Sequence, residues 1–262
     1  MAAQDKIATA EALLAEAFAE LNAELPRQSG RHRGAITQDC WRLRLMTGEL
    51  RQYFSQSGQD WFIDQVLIKE RRGGVFVDVG GYDGVTGSNT LFFEMFRAWT
   101  GLLIEPVADL LARACEVRRN PCIGAVVSGE ASECDFLEVT AGFRQMSGRF
   151  ETYDADLLKR LRAHPEHGEL IRRVETRTLA DILSEHRLSQ VDYLSLDIEG
   201  GELDVLKTFP FEAVKVGIFS IENALGHPEI HALMTARGYR LVEFLGVDEI
   251  YCRADLLEVQ AE

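Results

Sequence analysis

The sequence predicts an α/β protein: a mostly parallel seven-stranded sheet that ends in an antiparallel hairpin, preceded by a helical extension. Three observations predict it. From Arg71 onward, short and near-continuous apolar runs alternate with stretches of helical periodicity, the pattern of parallel strands covered on both faces. The first of those runs ends in an acid and a glycine-rich turn, Asp78-Val79-Gly80-Gly81-Tyr82-Asp83-Gly84. The last two runs, Tyr239–Leu245 and Glu249–Arg253, are joined only by Gly246-Val247-Asp248. That link is too short for a crossover, so the two must pair as a hairpin.

In chain order, residues 4–25 read as one helix, because Ile7, Ala10, Leu14, Ala17, Phe18, Leu21 and Leu25 recur at helical spacing. The stripe either packs on the body of the chain or forms a homodimer contact. Pro26 and the polar run Arg27–Gly34 read as a linker, followed by helices over Thr37–Leu50 and Gly58–Glu70. The extension is therefore placed at 1–52 and the main domain at 53–262. Strands are expected at Val75–Val79, Gly101–Glu105, Cys122–Val127, Val191–Asp197 and Val214–Ile221. Helices fall at Ser88–Ala98, Val107–Arg118, Leu179–His186, Gly201–Phe209 and Pro228–Arg237.

Ser132–Thr178 is longer than connections between strands usually are. It holds a strand-like Asp135–Thr140, a Gly/Arg/Met segment Gly142–Gly148 and a polar helix near Asp154–Arg162. An insertion at about 132–178 is a candidate lid. Its Gly142–Gly168 part, polar and with few apolar anchors, is expected to be more mobile than the sheet.

Composition excludes several function classes. With 262 residues, 46% hydrophobic, 27% charged and 6 Pro, the chain is an ordinary globular one. Its 42 acidic against 28 basic residues give a net charge of −14. Such a surface repels phosphate backbones and anionic lipid, so a small molecule is a better partner than nucleic acid or membrane. Five scattered cysteines without a CxxC pair argue against a disulfide scaffold or zinc ribbon. Asp5, Glu11, Glu16 and Glu20 interrupt the apolar stretches that a signal peptide would need. No run approaches the ~18 apolar residues of a membrane span, and the expectation is a soluble, cytoplasmic protein.

The chemistry gathers at strand ends. Glycines after the first strand let the backbone approach a ligand, and the turn's N–H groups favour its electron-rich parts. The turn is not GxGxxG; Asp78 stands two residues before Gly80, where a carboxylate suits an ammonium rather than a pyrophosphate. Leu102-Leu103-Ile104-Glu105-Pro106 ends the second strand in an acid 27 residues after Asp78. That is near the ~20 expected for an acid on a cofactor ribose. One carboxylate can accept from both ribose hydroxyls, and Pro106 then opens the next helix.

The fourth strand ends in Asp197-Ile198-Glu199-Gly200-Gly201-Glu202 and the fifth in Ser220-Ile221-Glu222-Asn223. Asp197, Glu199 and Glu222 are candidate catalytic residues, and Asp197, Glu222 and Asn223 a candidate set of hard oxygen ligands. Helix capping is an alternative account of Glu199 and Glu202. His164-Pro165-Glu166-His167 reads as a solvated loop rather than a metal site. Phe143, Met146 and Phe150 read as a packed face or a substrate patch.

Together with Ser55-Gln56-Ser57-Gly58-Gln59-Asp60, Ser88-Asn89-Thr90 and Leu245-Gly246-Val247-Asp248-Glu249-Ile250-Tyr251, these pieces resemble the FkbM-type methyltransferases over roughly residues 53–253. The resemblance implies a Rossmann-like class I methyltransferase fold. It implies S-adenosylmethionine as cofactor and O-methylation of a sugar, polyketide or other small natural product. By the same resemblance, Asp78, Gly80, Asp83 and Glu105 hold the cofactor. Gln59, Gly81, Ser88, Asn89 and Thr90, with Pro106, Ala125, Val126 and Asp197, complete the expected cofactor set. Whether Asp197 acts as a general base or helps to hold Mg²⁺ stays open. Two alternatives stand beside this reading: a nicotinamide-dependent oxidoreductase, disfavoured by the acid-x-Gly turn and the hairpin, and a non-catalytic binding protein that retains the fold.

Overall fold

The computed structural model describes residues 3–50 and 52–258. Its central sheet is built from β1 (Val75–Val79), β2 (Thr100–Ile104), β3 (Cys122–Ile123), β8 (Gln190–Leu196), β9 (Lys215–Glu222), β10 (Tyr239–Leu245) and β11 (Asp248–Arg253). The strands lie in the order β10-β11-β9-β8-β1-β2-β3. Pairings from β9 to β3 are parallel, whereas β11 runs antiparallel to both β9 and β10. This is the expected Rossmann-like arrangement with its terminal hairpin.

Period-two alternation buries both faces of the sheet. Val77 and Val79 join Leu194, Leu196 and Phe219 in one core. Phe76, the residue before Val77, joins Phe93, Trp99, Tyr193 and Ile218 in the other. Register then sets the site. Val79 pairs with Ile104 on one side and Leu196 on the other, so Gly80, Glu105 and Asp197 leave the sheet at one level.

Three boundaries differ from the sequence reading. Arg27–Gly34 is not a linker: after α1 (Ala3–Glu24), the helix α2 (Gly30–Met46) begins inside it. One of its polar residues holds the hairpin, with the Arg33 guanidinium forking onto both Glu243 oxygens. Gly34 and Ile36 are buried. The Cys122–Val127 run is two strands rather than one. Residues 124–125 peel away, so Cys122–Ile123 pairs with β2 while β4 (Val126–Ser128) joins a second sheet. The Gly58–Glu70 helix is one α-turn, α3 (Gln59–Phe62), running into a π-helical turn over Ile63–Leu67.

The exposed stripe of α1 packs partly on α2, where the Arg44 guanidinium stands 5.3 Å from the Phe18 ring. No helix among the described residues is long and apolar enough to cross a membrane.

The insertion forms its own sheet. β5 (Glu133–Ala141), β6 (Gly148–Arg149) and β7 (Gly168–Thr178) join β4 in the order β4-β7-β5-β6, and α6 (Ala155–Arg162) packs on it. The expectation of few apolar anchors fails. Leu137, Val139 and Leu161 are buried against Met146, Phe150, Tyr153 and Leu158. Met146 and Phe150 thus belong to a packed face, while Phe143 stays 46% exposed.

Candidate active site

A cavity of about 320 Å³ opens at the strand tips. Gly80, Gly81, Ser88, Asn89, Glu105, Pro106, Ala125, Val126, Asp197 and Glu199 line it, so most of the expected cofactor set is brought together. Gly80 makes the junction possible. It has φ +88°, and a Cβ there would lie 1.7 Å from the Asp197 carbonyl oxygen. Only glycine fits both demands.

Glu105 is 5% exposed. Its Oε2 accepts from the Tyr82 N–H at 2.9 Å and its Oε1 from the Val107 N–H at 2.8 Å. Each oxygen keeps an unused lone pair, which fits a pair of ribose hydroxyls. Burial pushes the carboxyl up to about 7, against the pull of those two N–H groups. Asn89 donates from Nδ2 to Ser195 Oγ at 2.9 Å, while its buried Oδ1 has no partner. A ligand donor, such as an ammonium, would satisfy that orphaned acceptor.

Asp78 does not offer a free carboxylate to an ammonium. Thr90 Oγ1 donates to its Oδ2 at 2.5 Å, and Arg118 Nη1 lies 3.8 Å away. Arg118, fully buried, also donates to Glu94 at 2.8 Å and to Thr90 at 2.8 Å. Desolvation of a carboxylate demands such a partner, so Asp78 braces the loop from behind while one edge meets the cavity.

Three further members of the expected set lie outside the lining. Asp83 is turned back on its own loop, accepting from the Val85 and Thr86 N–H groups at 3.0 and 2.7 Å. Gln59 donates to Asp248 Oδ2 at 3.1 Å and accepts from the Ser57 N–H at 2.9 Å. Thr90 is fully buried on Asp78. All three position the site rather than face it.

Asp197, Glu199 and Glu222 do converge: one carboxyl oxygen from each lies within 4.8 Å of the others. Asp197 is anchored by its N–H to Val79 O at 3.0 Å. Burial first, then the nearby Asp248 and Glu202, pushes its carboxyl up to about 8, opposed by a hydrogen bond with Glu222. Burial and the Asp197 charge likewise hold Glu199 and Glu222 well above the usual carboxylate range. Like charges in one low-dielectric spot retain a proton.

Helix capping falls to Glu202 alone. Its carboxylate accepts from the N–H groups of Ile198, Gly200 and Gly201 at 3.0, 3.1 and 3.0 Å. Glu199, with φ +59°, is thereby free to join the cluster. Asn223 is not part of it: its Oδ1 accepts from His227 N–H at 2.7 Å and its Nδ2 donates to Glu249 at 2.8 Å.

Sequence reasoning missed what the insertion adds. Arg144, Gln145, Ser147, Gly148 and Arg149 roof the cavity, and Gln56 closes one side. The Tyr153 hydroxyl is buried without a partner, and burial, Glu199 and Glu222 raise its pKa. Two cations in the Gly142–Gly148 neighbourhood of an acidic chain were the visible signal. His164 and His167 hold no metal cluster among the described residues; they meet the Phe143 ring and Glu169.

The profile of the methyltransferase FkbM domain matches residues 78–241, more than half of the chain and all of the strand tips described above. No curated protein sequence matches. Among solved structures, the chain is similar to the methyltransferase FkbM of Methylobacillus flagellatus, at 15% identity and TM-score 0.44, covering 90% of this chain and 58% of that one. A TehB-like SAM-dependent methyltransferase of Corynebacterium glutamicum matches at 11% identity and TM-score 0.38, over 84% and 98%. The pyocyanin biosynthetic protein PhzM matches at 15% and 0.36, over 89% and 62%. The chain thus spans less than two thirds of the FkbM and PhzM structures. With the acid-x-Gly loop, the Glu105 strand tip and the Asp197 loop all inside the matched stretch, the chain belongs to the FkbM family of S-adenosylmethionine-dependent methyltransferases.

Proposed function

We propose that the protein methylates a hydroxyl oxygen of a small molecule, with Asp197 as the general base. The observation that carries this reading is the place of Asp197. It lines the cofactor cavity and shares a proton-retaining cluster with Glu199 and Glu222. When bound, S-adenosylmethionine supplies an electrophilic methyl group. The chain's own work is to place the acceptor oxygen in line, exclude water and take one proton. Glu105 would hold the ribose hydroxyls through its free lone pairs and Asn89 Oδ1 an amino group of the donor. The insertion's Arg144–Arg149 segment roofs the cavity against water. The ionised form of Asp197, whose share grows as pH climbs through about 8, takes the proton, and it stands closer to an alcohol's basicity than an ordinary aspartate does.

The spacing of the three carboxyls favours a second reading, a Mg²⁺ ion that orients the acceptor hydroxyl and lowers its pKa. One experiment separates them. Transfer of a labelled methyl group is measured across a library of small hydroxyl compounds, with and without EDTA, for the native protein and Asp197→Asn. The base reading expects activity indifferent to EDTA and lowered by about 10²–10⁴ in Asp197→Asn, with cofactor affinity retained. Activity lost to EDTA and restored by Mg²⁺ supports the metal. Native turnover in Asp197→Asn ends both readings.

A further inference from the structure

A second cavity of about 260 Å³ lies on the far side of the carboxyl cluster. Glu199 lines both cavities, Asp197 only the first and Glu222 only the second. The cluster is therefore the partition between them. The second cavity's walls come from the ends of β8 and β9 and from the insertion at Thr152, Asp154 and Leu157.

Its lining is chemically one-sided. Asp154 is spent on the N–H groups of Asp156 and Leu157, and Glu202 on the helix start. Asp204 leans on Lys207 at 3.6 Å. Glu199 and Glu222 remain, acceptors with no hydrogen-bond donor from the chain other than the proton they share with Asp197. No Lys or Arg lines the cavity among the described residues, while Leu157, Leu203 and Leu225 give it an apolar side. Of the other polar lining side chains, Thr152 donates to the Arg149 carbonyl at 3.0 Å and Asn223 to Glu249 at 2.8 Å, which leaves the His227 imidazole as the side-chain donor among the described residues. The volume falls below the ~300–1,000 Å³ of sites for drug-sized ligands, which suits one small ring and not an extended chain.

Resting on the proposed methyl transfer, we infer that this second cavity takes a single hydroxylated ring bearing a protonated amine, an amino-sugar-like acceptor, and rejects anionic rings. The ammonium sits against Glu222 and Glu199, favouring their ionised forms over the proton-retaining ones. Ring hydroxyls reach the cluster, and the ring's C–H face covers the leucines. A carboxylated or phosphorylated ring brings no such cation and would set an anion beside the acidic cluster.

The test uses the full chain saturated with S-adenosylhomocysteine, titrated calorimetrically with glucosamine, glucose and glucuronate. Glucosamine is expected to bind about tenfold or more tighter than glucose, with no detectable glucuronate binding. Glu222→Gln should erase the glucosamine preference without changing the affinity for S-adenosylhomocysteine. Leu225→Lys, at a position already 47% exposed, should weaken glucosamine and admit glucuronate. Equal affinities, tighter glucuronate, or no glucosamine binding by protein that holds S-adenosylhomocysteine overturns the inference. Failure to hold S-adenosylhomocysteine at all refutes the cofactor site instead, so the two failures are distinguishable.

Discussion

Gly80 and Asp197 meet backbone to backbone: the Asp197 carbonyl oxygen occupies the position, within 1.7 Å, where any side chain on Gly80 would begin. The Gly80 loop and the loop carrying Asp197 are thereby locked at one distance. Gly80→Ala must break that lock or force φ +88° on an alanine. A loss of about 2–4 kcal/mol is expected from the left-handed backbone and overpacking together. Urea unfolding measures it, and a native-like midpoint would contradict the contact.

Glu105→Gln should weaken S-adenosylmethionine binding by ~1.5–3 kcal/mol, the scale of hydrogen bonds to a charged acceptor. The native affinity should rise as pH passes upward through about 7, because the ionised carboxylate is the better acceptor for ribose hydroxyls. Calorimetric titration on both sides of that pH checks both statements.

Stability of the free protein should fall with rising pH. Asp60, Glu105 and Asp197 are pushed up to about 6, 7 and 8 from 3.8, 4.5 and 3.8, so the folded state holds protons that the unfolded state has released. Their stabilising effect is complete below the unfolded values and is lost as pH climbs through about 6 to 8. Thermal midpoints across that range should decline, and Asp197→Asn should flatten the upper part. A rising midpoint would refute the buried-acid account.

Arg118→Met should cost about 3–5 kcal/mol, since Glu94 and Asp78 would be left buried and unpaired. Arg118→Lys should recover little, because a point charge cannot donate to Glu94, Thr90 and Gly84 at once. Chemical denaturation of the three proteins decides it.

Arg144 grips Asp109 on α5 (Ala108–Val117) with two hydrogen bonds of 2.8 and 2.6 Å, tying the roof to the floor of the cofactor cavity. Asp109 is 53% exposed, so Arg144→Ala should cost under about 1 kcal/mol of stability. It should nevertheless raise hydrogen exchange over 142–149 and speed cofactor release several-fold. Unchanged release would make the pair ornamental.

Much of this was legible in the sequence because strand tips advertise themselves. A buried β-run has one period, so where it stops in an acid or glycine the site begins; Gly80, Glu105, Asp197 and Glu222 were all readable that way. Asp83, Gln59 and Asn223 are spent on other partners, which the sequence does not show because a polar side chain facing a cavity and one bound to a neighbouring loop or strand look alike in it. The insertion was harder still. Its β5–β7 pairing joins Glu133 to Glu175, a separation over which local periodicity says nothing about which face meets the cavity. Arg27–Gly34 misled for a related reason: its Arg33 pairs with Glu243 on a hairpin 210 positions away.

That same α2 closes one side of the molecule. β10 is the outermost strand, and the Thr37 hydroxyl donates to its Phe244 carbonyl at 2.8 Å while Gly34 O receives the Gly246 N–H at 3.1 Å. One edge carbonyl of β10 and one N–H of the hairpin turn are thereby satisfied by α2. At the far side, β3 is only two residues long and offers little to pair with. Among the described residues, the sheet thus has one margin partly covered by α2 and one margin only two residues long.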